Sequence, residues 1–220
     1  MIASQLITDS LHVLRISDSV EGAIEFMVSQ GVSELPIIEK KKLYNYARLA
    51  SLSAVSNKQS SLGQNIPQNP HAPFAITEHH IYEIVPLLAA NELSILAVVD
   101  EDGEYVGVID QKRINKLMTE SLTYRGVGAV VVIRLADRDF SPSTICRWVE
   151  ENGAKVLGMM VSQTEPGDLI LNIKLNTTVV RAIVATFKRQ GYSVEHVYLA
   201  EDQSNDDSRE VDLVLKFFDL

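Results

Sequence analysis

Cysteine is nearly absent: Cys146 stands alone in a chain of 220 residues. A lone thiol excludes an internal disulfide framework and predicts a reducing, cytoplasmic setting. Long apolar runs are also missing. The longest extend over only a few residues, which excludes a transmembrane helix and predicts no membrane partner. Met1-Ile2-Ala3-Ser4-Gln5 lacks the basic and apolar regions of a signal peptide. Basic charge is in deficit, with 20 Lys and Arg against 29 Asp and Glu. Residues 1–124 hold 9 basic and 15 acidic side chains, and residues 125–220 hold 11 and 14. Neither part supplies the basic face that a phosphate backbone needs, so nucleic acid is not an expected partner.

Catalytic and metal constellations are missing as well. His79-His80 are adjacent, whereas helical metal pairs sit at i and i+4. His12, His71 and His196 are scattered, and Cys146 has no histidine near it in sequence. Asp100, Glu101, Asp102 and Glu104 crowd one turn without the longer oxygen-ligand pattern of a calcium loop. Gly126-Val127-Gly128 lacks the third glycine of a nucleotide fingerprint and reads as a hinge. An enzyme is therefore not expected.

What is present is apolar content, 46%, enough for packed cores. Its clearest organisation runs from Leu96 to Ile114. Leu96-Ala97-Val98-Val99 reads as a buried strand, Asp102-Gly103 as a hairpin turn, and Val106-Gly107-Val108-Ile109 as the return strand. Asp110 can then cap a helix carrying Ile114, Leu117 and Met118. Upstream, Phe74 to Ile76 reads as a strand. Ile81, Ile84, Val85 and Leu88 share one helical face beyond Thr77, a potential cap. Pro86 inside that face predicts a kink or a carbonyl without its donor.

The same order precedes it. Leu11 to Ile16 alternates as a strand does. Asp18-Ser19-Val20-Glu21 reads as a capping box, followed by a face of Val20, Ala23, Ile24 and Met27 that stops at Gly31. Leu35-Pro36-Ile37-Ile38 and Leu43-Tyr44 flank a Lys-rich turn, and Arg48 to Val55 reads as helix. Residues 57–72 are rich in Ser, Gln, Asn and Pro and read as a linker. The chain thus divides into a first repeat (1–56), a linker (57–72), a second repeat (73–124) and a third segment (126–220).

These tandem units resemble a cystathionine-β-synthase-type (CBS) domain pair. The resemblance rests on Ser17-Asp18-Ser19-Val20-Glu21-Gly22-Ala23, on Val32-Ser33-Glu34-Leu35-Pro36-Ile37-Ile38, and on Val98 through Ile109. It implies a two-fold pair around a cleft that often holds an adenosine-containing ligand. Units of that family end in Gly, two apolar residues, Thr or Ser, two variable residues and Asp. Laid on this pattern, the second repeat reads Gly107-Val108-Ile109-Asp110-Gln111-Lys112-Arg113. The first is overlaid as Lys42-Leu43-Tyr44-Asn45-Tyr46-Ala47-Arg48. Asn45 and Asp110 then take the hydroxyl position, and Arg48 and Arg113 the carboxylate position. A guanidinium only donates hydrogen bonds and prefers phosphate or carboxylate. Two readings stay open: Arg48 and Arg113 hold a more anionic ligand, or they pair with acids such as Asp110 or face water.

The third segment reads as βαββαβ. Its strands are Ala129 to Leu135, Lys155 to Ser162, Leu169 to Leu175 and Val194 to Leu199. One helix starts at Ser141-Pro142 and stops at Asn152-Gly153. The other carries Val179, Ile183 and Phe187 and ends at Gln190-Gly191. This order fits a ferredoxin-like sandwich. With Asn152-Gly153-Ala154 and Gln190-Gly191-Tyr192 after the helices, and beside a CBS pair, it resembles an ACT domain. That combination is also seen in acetoin-utilisation-type accessory proteins. The loop Arg138-Asp139-Phe140-Ser141-Pro142 lacks the glycine with which amino-acid-binding members often meet their ligand. An alternating tail, Val211, Leu213, Leu215 and Phe217, predicts one more strand over 211–218.

The expectation is an α+β chain: a CBS-domain pair followed by a ferredoxin-like, ACT-like domain. It is read as a non-catalytic sensor, forming a homodimer by the habit of both families and acting on an unnamed downstream protein. No cofactor is expected. The effector would be an adenine nucleotide or S-adenosylmethionine. It would be contacted by Asn45, Arg48, Asp110 and Arg113 between apolar walls of Leu35, Pro36, Leu96 and Ala97. The alternative is a ligand-free scaffold that only dimerises.

Overall fold

A computed structural model describes residues 1–8 and 13–199. The strand predicted from Leu11 falls partly outside these residues, and the strand predicted over 211–218 falls wholly outside them. The chain divides into two compact units, Met1–Met118 and Thr119–Leu220.

The first unit holds α1 (Ala3–Leu6), α2 (Val20–Gln30), β1 (Glu34–Glu39), β2 (Lys42–Arg48), α3 (Leu49–Ser53) and α4 (Leu62–Asn65). It continues with β3 (Phe74–Ile76), α5 (Ile81–Ala90), β4 (Ile95–Val99), β5 (Tyr105–Asp110) and α6 (Gln111–Glu120), whose last two residues lie past the division. The two repeats have one topology. In the second, β3 runs parallel to β4, and β5 returns antiparallel. In the first, Leu14 makes a parallel bridge to Ile37 on β1, and β2 returns antiparallel.

Local chemistry sets the element ends. Ser19, one residue later than the sequence box suggests, caps α2 by accepting the Gly22 N–H at 3.1 Å. Glu21 instead accepts from Gln59. His80, not Thr77, caps α5: its Nδ1 accepts the Tyr82 N–H, and Glu83 accepts the His80 N–H at 2.8 Å. Pro86 lies inside α5 on its exposed face, so the Tyr82 carbonyl it leaves without a donor is free to meet water. Gly31 ends α2 at φ +63°, while Glu92 takes φ +53° at the matching place after α5. Lys40 and Lys41, both at positive φ, turn β1 into β2. Asp100 organises the other hairpin, with Oδ1 accepting the N–H groups of Asp102 and Glu104 around Gly103 at φ +72°.

The repeats are interlocked rather than side by side. The core of the second repeat takes in Ala3 and Leu6 of α1 and Tyr46 of β2. The core of the first takes in Leu62 of α4, Ile95 of β4 and Val108 of β5. Residues 57–72 are therefore more than a spacer. Each arm following a short helix crosses the strand of the opposite end of the unit: the Thr8 N–H donates to the Val108 carbonyl and the Asn69 N–H to the Tyr44 carbonyl. Gly107 is required at the first crossing, because a Cβ there would stand 2.5 Å from Ile7 Cγ2.

The second unit holds α7 (Leu122–Arg125), β6 (Ala129–Ala136), α8 (Pro142–Glu151), β7 (Val156–Glu165), β8 (Asp168–Leu175), α9 (Arg181–Arg189) and β9 (Ser193–Leu199). A single turn of 3₁₀ helix, Asp137–Asp139, precedes α8. Its sheet order is β7-β8-β6-β9, all antiparallel, which is the ferredoxin-like order. Ser141 caps α8 with Pro142 at its first position, as the sequence predicts. α8 and α9 cover one face through Ile145, Val149, Ile183 and Phe187. The division falls upstream of the sequence boundary because α7 packs on β7, where the Thr123 hydroxyl donates to the Leu157 carbonyl.

Tyr46 ties the two repeats together in the interior. Its hydroxyl donates to the Pro73 carbonyl at 2.8 Å and accepts the Ala97 N–H at 2.9 Å. Tyr46→Phe leaves both backbone groups unpaired in the interior and should cost about 1–3 kcal/mol in a urea unfolding titration. An unchanged midpoint would show that the tie carries no stability.

Candidate functional site

The strand register decides which positions of the two repeats correspond. Glu34 lies opposite Arg48 and Leu35 opposite Ala47. Ile95 lies opposite Asp110 and Leu96 opposite Ile109. The helix starts agree, since the Leu49 N–H donates to Ser33 and the Gln111 N–H to Ser94, both at 2.8 Å. Arg48 therefore matches Asp110, and Ser51 matches Arg113. The sequence overlay of the first repeat slips by three residues, because the Lys40-Lys41 turn makes the first hairpin only one residue shorter than the second. The two repeats do not share an arginine at the carboxylate position.

The eight expected contact residues are not drawn into one opening. Leu35, Leu96 and Ala97 have no exposed surface, and Pro36 is buried beside them. Asn45 is committed to the fold: its Nδ2 donates to the Pro67 carbonyl at 2.8 Å and its Oδ1 accepts the Tyr46 N–H. Arg48 donates to the Asn91 carbonyl at the end of α5, 2.8 Å away. Asp110 accepts the Lys112 N–H at 2.9 Å and so caps α6, as predicted. Arg113 is exposed on α6.

Other residues line three openings of the first unit. One, of about 490 Å³, is lined by Glu34, Ser94, Glu92, Leu88 and Gln111 among others. A second, of about 560 Å³, lies between the two repeats. The first repeat contributes Arg15, Ser17, Ile38 and Lys40, and the second contributes Tyr105. Lys41 also lines it, but its Nζ pairs with Glu104 at 3.0 Å. Arg15 and Lys40 have no ion-pair partner among the described residues, and Glu39 is the one acid on the rim. A third opening, of about 360 Å³, shares Lys40 and adds Lys42, Tyr44 and Gln68. The cleft between the repeats is thus cationic in a chain of net charge −9. The sequence signal for it was the Lys40-Lys41-Lys42 run, legible there only as a turn.

His80 is occupied as a helix cap, and among the described residues no three His, Cys, Asp or Glu side chains gather to hold a metal. No helix of the described residues is long and apolar enough to cross a membrane. In the second unit, the loop before α8 is tied down by the Tyr192 hydroxyl, which donates to the Asp139 carbonyl at 2.9 Å.

Residues 70–120 match the CBS domain family model. This is the second repeat with its cap and helix, and the first repeat shares its topology. Several solved structures are similar to this chain over about half its length. A CBS domain pair/ACT domain protein from Thermotoga maritima is 16% identical at a TM-score of 0.49, over 55% of this chain and 98% of that one. CBSX2 from Arabidopsis thaliana is 21% identical at 0.47, over 54% and 94%. Protein MJ1004 from Methanocaldococcus jannaschii is 15% identical at 0.50, over 56% of this chain and 62% of that one. No curated protein matches the sequence significantly. The chain as a whole is a mixed α+β protein with a CBS-pair fold followed by a ferredoxin-like domain.

Tyr105, in the cationic cleft, has its phenol pushed up to about 12 by burial. Burial raises Tyr46 further, with the nearby Tyr105 and Glu34 adding to it. Both phenols stay neutral in the fold but ionise near 10 once unfolded, so their contribution is complete below pH 10 and is lost as pH rises through the folded values. An alkaline titration followed at 295 nm should show these two tyrosines ionising late, together with unfolding of the CBS pair. Ionisation of all tyrosines near pH 10 with the fold intact would contradict this.

Proposed function

We propose that the chain is a non-catalytic regulatory module whose CBS pair binds a small anionic metabolite, an adenine nucleotide, in the cleft between the repeats. The observation that supports this reading is the charge of that cleft: among the described residues Arg15 and Lys40 have no ion-pair partner, beside Ser17, Ile38 and the Tyr105 ring. Phosphate suits the two cations, and a purine suits the Ile38–Tyr105 surface. CBSX2 in complex with AMP and the cytosolic domain of the Mg2+ channel MgtE in complex with ATP carry nucleotides in their own structures. A ligand that touches both repeats would favour one arrangement of the pair over another. The C-terminal domain, ACT-like in our reading, would pass the change to a partner protein. We place the module in the cytoplasm as a homodimer. Arg48, Asp110 and Arg113 then lie outside the contact set.

A second reading, a scaffold that dimerises without a ligand, draws on the outward apolar side chains Val28 of α2 and Tyr82 and Val85 of α5. A thermal-shift series with AMP, ADP, ATP and S-adenosylmethionine separates the two. A nucleotide at about 100 times its Kd adds about 2.7 kcal/mol, a shift of a few degrees. Arg15→Gln and Lys40→Gln should each weaken binding about tenfold, while Arg113→Ala leaves it unchanged. No shift with any nucleotide favours the scaffold. A loss on Arg113→Ala moves the site to the start of α6.

A further inference from the structure

Glu34 opens β1 beside the cavity of about 490 Å³ and is only 6% exposed. Its Oε1 accepts both the backbone N–H and the hydroxyl of Ser94. Its Oε2 has no hydrogen-bond partner, and no cation pairs with the carboxylate, among the described residues. Arg48 lies directly across the strand pair, yet its guanidinium turns to the Asn91 carbonyl. Oε2 is not sealed off from solvent, so it can accept from a molecule in the cavity.

The fold does not require an acid at this position. The matching residue of the second repeat is Ile95, 1% exposed and seated in the core of the first repeat. Glu92 is a second break in the symmetry. It holds φ +53° where the first repeat has Gly31 at φ +63°, a conformation that costs a side chain about 1–2 kcal/mol. At both places a carboxylate stands where the other repeat has an uncharged residue, Ile95 or Gly31, and both carboxylates line this one cavity. No lysine or arginine lines it, and Leu88, Ala89, Ile114 and Met118 form an apolar wall.

We propose that this cavity binds a small organic cation: a primary amine or guanidine on a compact apolar body. The charged group meets Glu34 Oε2, Glu92 screens it from the rim, and the apolar body lies against α5 and α6. The site is separate from the Arg15–Lys40 cleft and does not depend on the nucleotide reading.

Isothermal titration of the full chain with phenethylamine, agmatine and spermidine tests this, with 2-phenylethanol as the uncharged match for phenethylamine. At least one of the three amines binds. Phenethylamine binds more tightly than 2-phenylethanol by about tenfold or more. Glu34→Gln keeps an acceptor for Ser94 and removes the charge. It should weaken the amine about tenfold or more without lowering the melting temperature, and Arg15→Gln should leave amine binding unchanged. If the Gln variant fails to fold, E34I, which carries the second repeat's own residue, takes its place. The proposal is overturned by no heat from any amine at ~10 mM, by equal binding of the alcohol, or by amine binding that survives the loss of Glu34. It is also overturned if Glu34→Gln halves the mass seen by light scattering, which would make the cavity a contact between copies.

Discussion

The hydroxyl of Tyr46 is where the two repeats become one body. It sits on β2 of the first repeat, is buried in the core of the second, and joins the carbonyl before β3 to an N–H of β4. A phenol suits this place because its ring fills apolar space while its oxygen both donates and accepts. The position matching Tyr46 in the second repeat is Val108, which enters the core of the first repeat in turn. Symmetry at this crossing is thus one of place and not of chemistry, and the polar tie is made once.

Much of this architecture was legible in the sequence. The Asp102-Gly103 turn, the Ser141-Pro142 helix start and the Gly31 stop each express a local backbone requirement, and each falls where expected. Non-local features were not legible. The capping role of His80 arises from a ring nitrogen reaching the Tyr82 N–H, whereas residue type alone points to the hydroxyl of Thr77. The slip in aligning Asn45 and Arg48 arose because two lysines at positive φ close the first hairpin, where Gly or Asn is the usual marker. Residues 57–72 read as spacer by composition, yet fully buried Leu62 and buried Ala72 tie that stretch into the two cores.

The candidate site was less legible than the fold for the same reason. Motif positions at a strand end indicate where a ligand meets the backbone in related proteins. They do not indicate which side chains are already spent on capping and on arm crossings, as Asn45, Arg48 and Asp110 are here. Charge was the better guide once positions were known. One opening is lined by Arg15, Lys40 and Lys41 and another by Glu34 and Glu92, and the two share no lining residue. An acid inside the run Val32-Ser33-Glu34-Leu35-Pro36-Ile37-Ile38 was visible in the sequence, but its meaning needed Ile95 beside it for comparison.

The exchange of short helices has a consequence for biosynthesis. As the polypeptide leaves the ribosome, the first repeat lacks Ile95 and Val108 to complete its interior, and α1 has no second repeat to rest on. The early product must wait, with apolar surface uncovered, until nearly the whole first unit has been translated. Its folding is then dominated by contacts distant in sequence, which slows closure and leaves a nascent intermediate to chaperones.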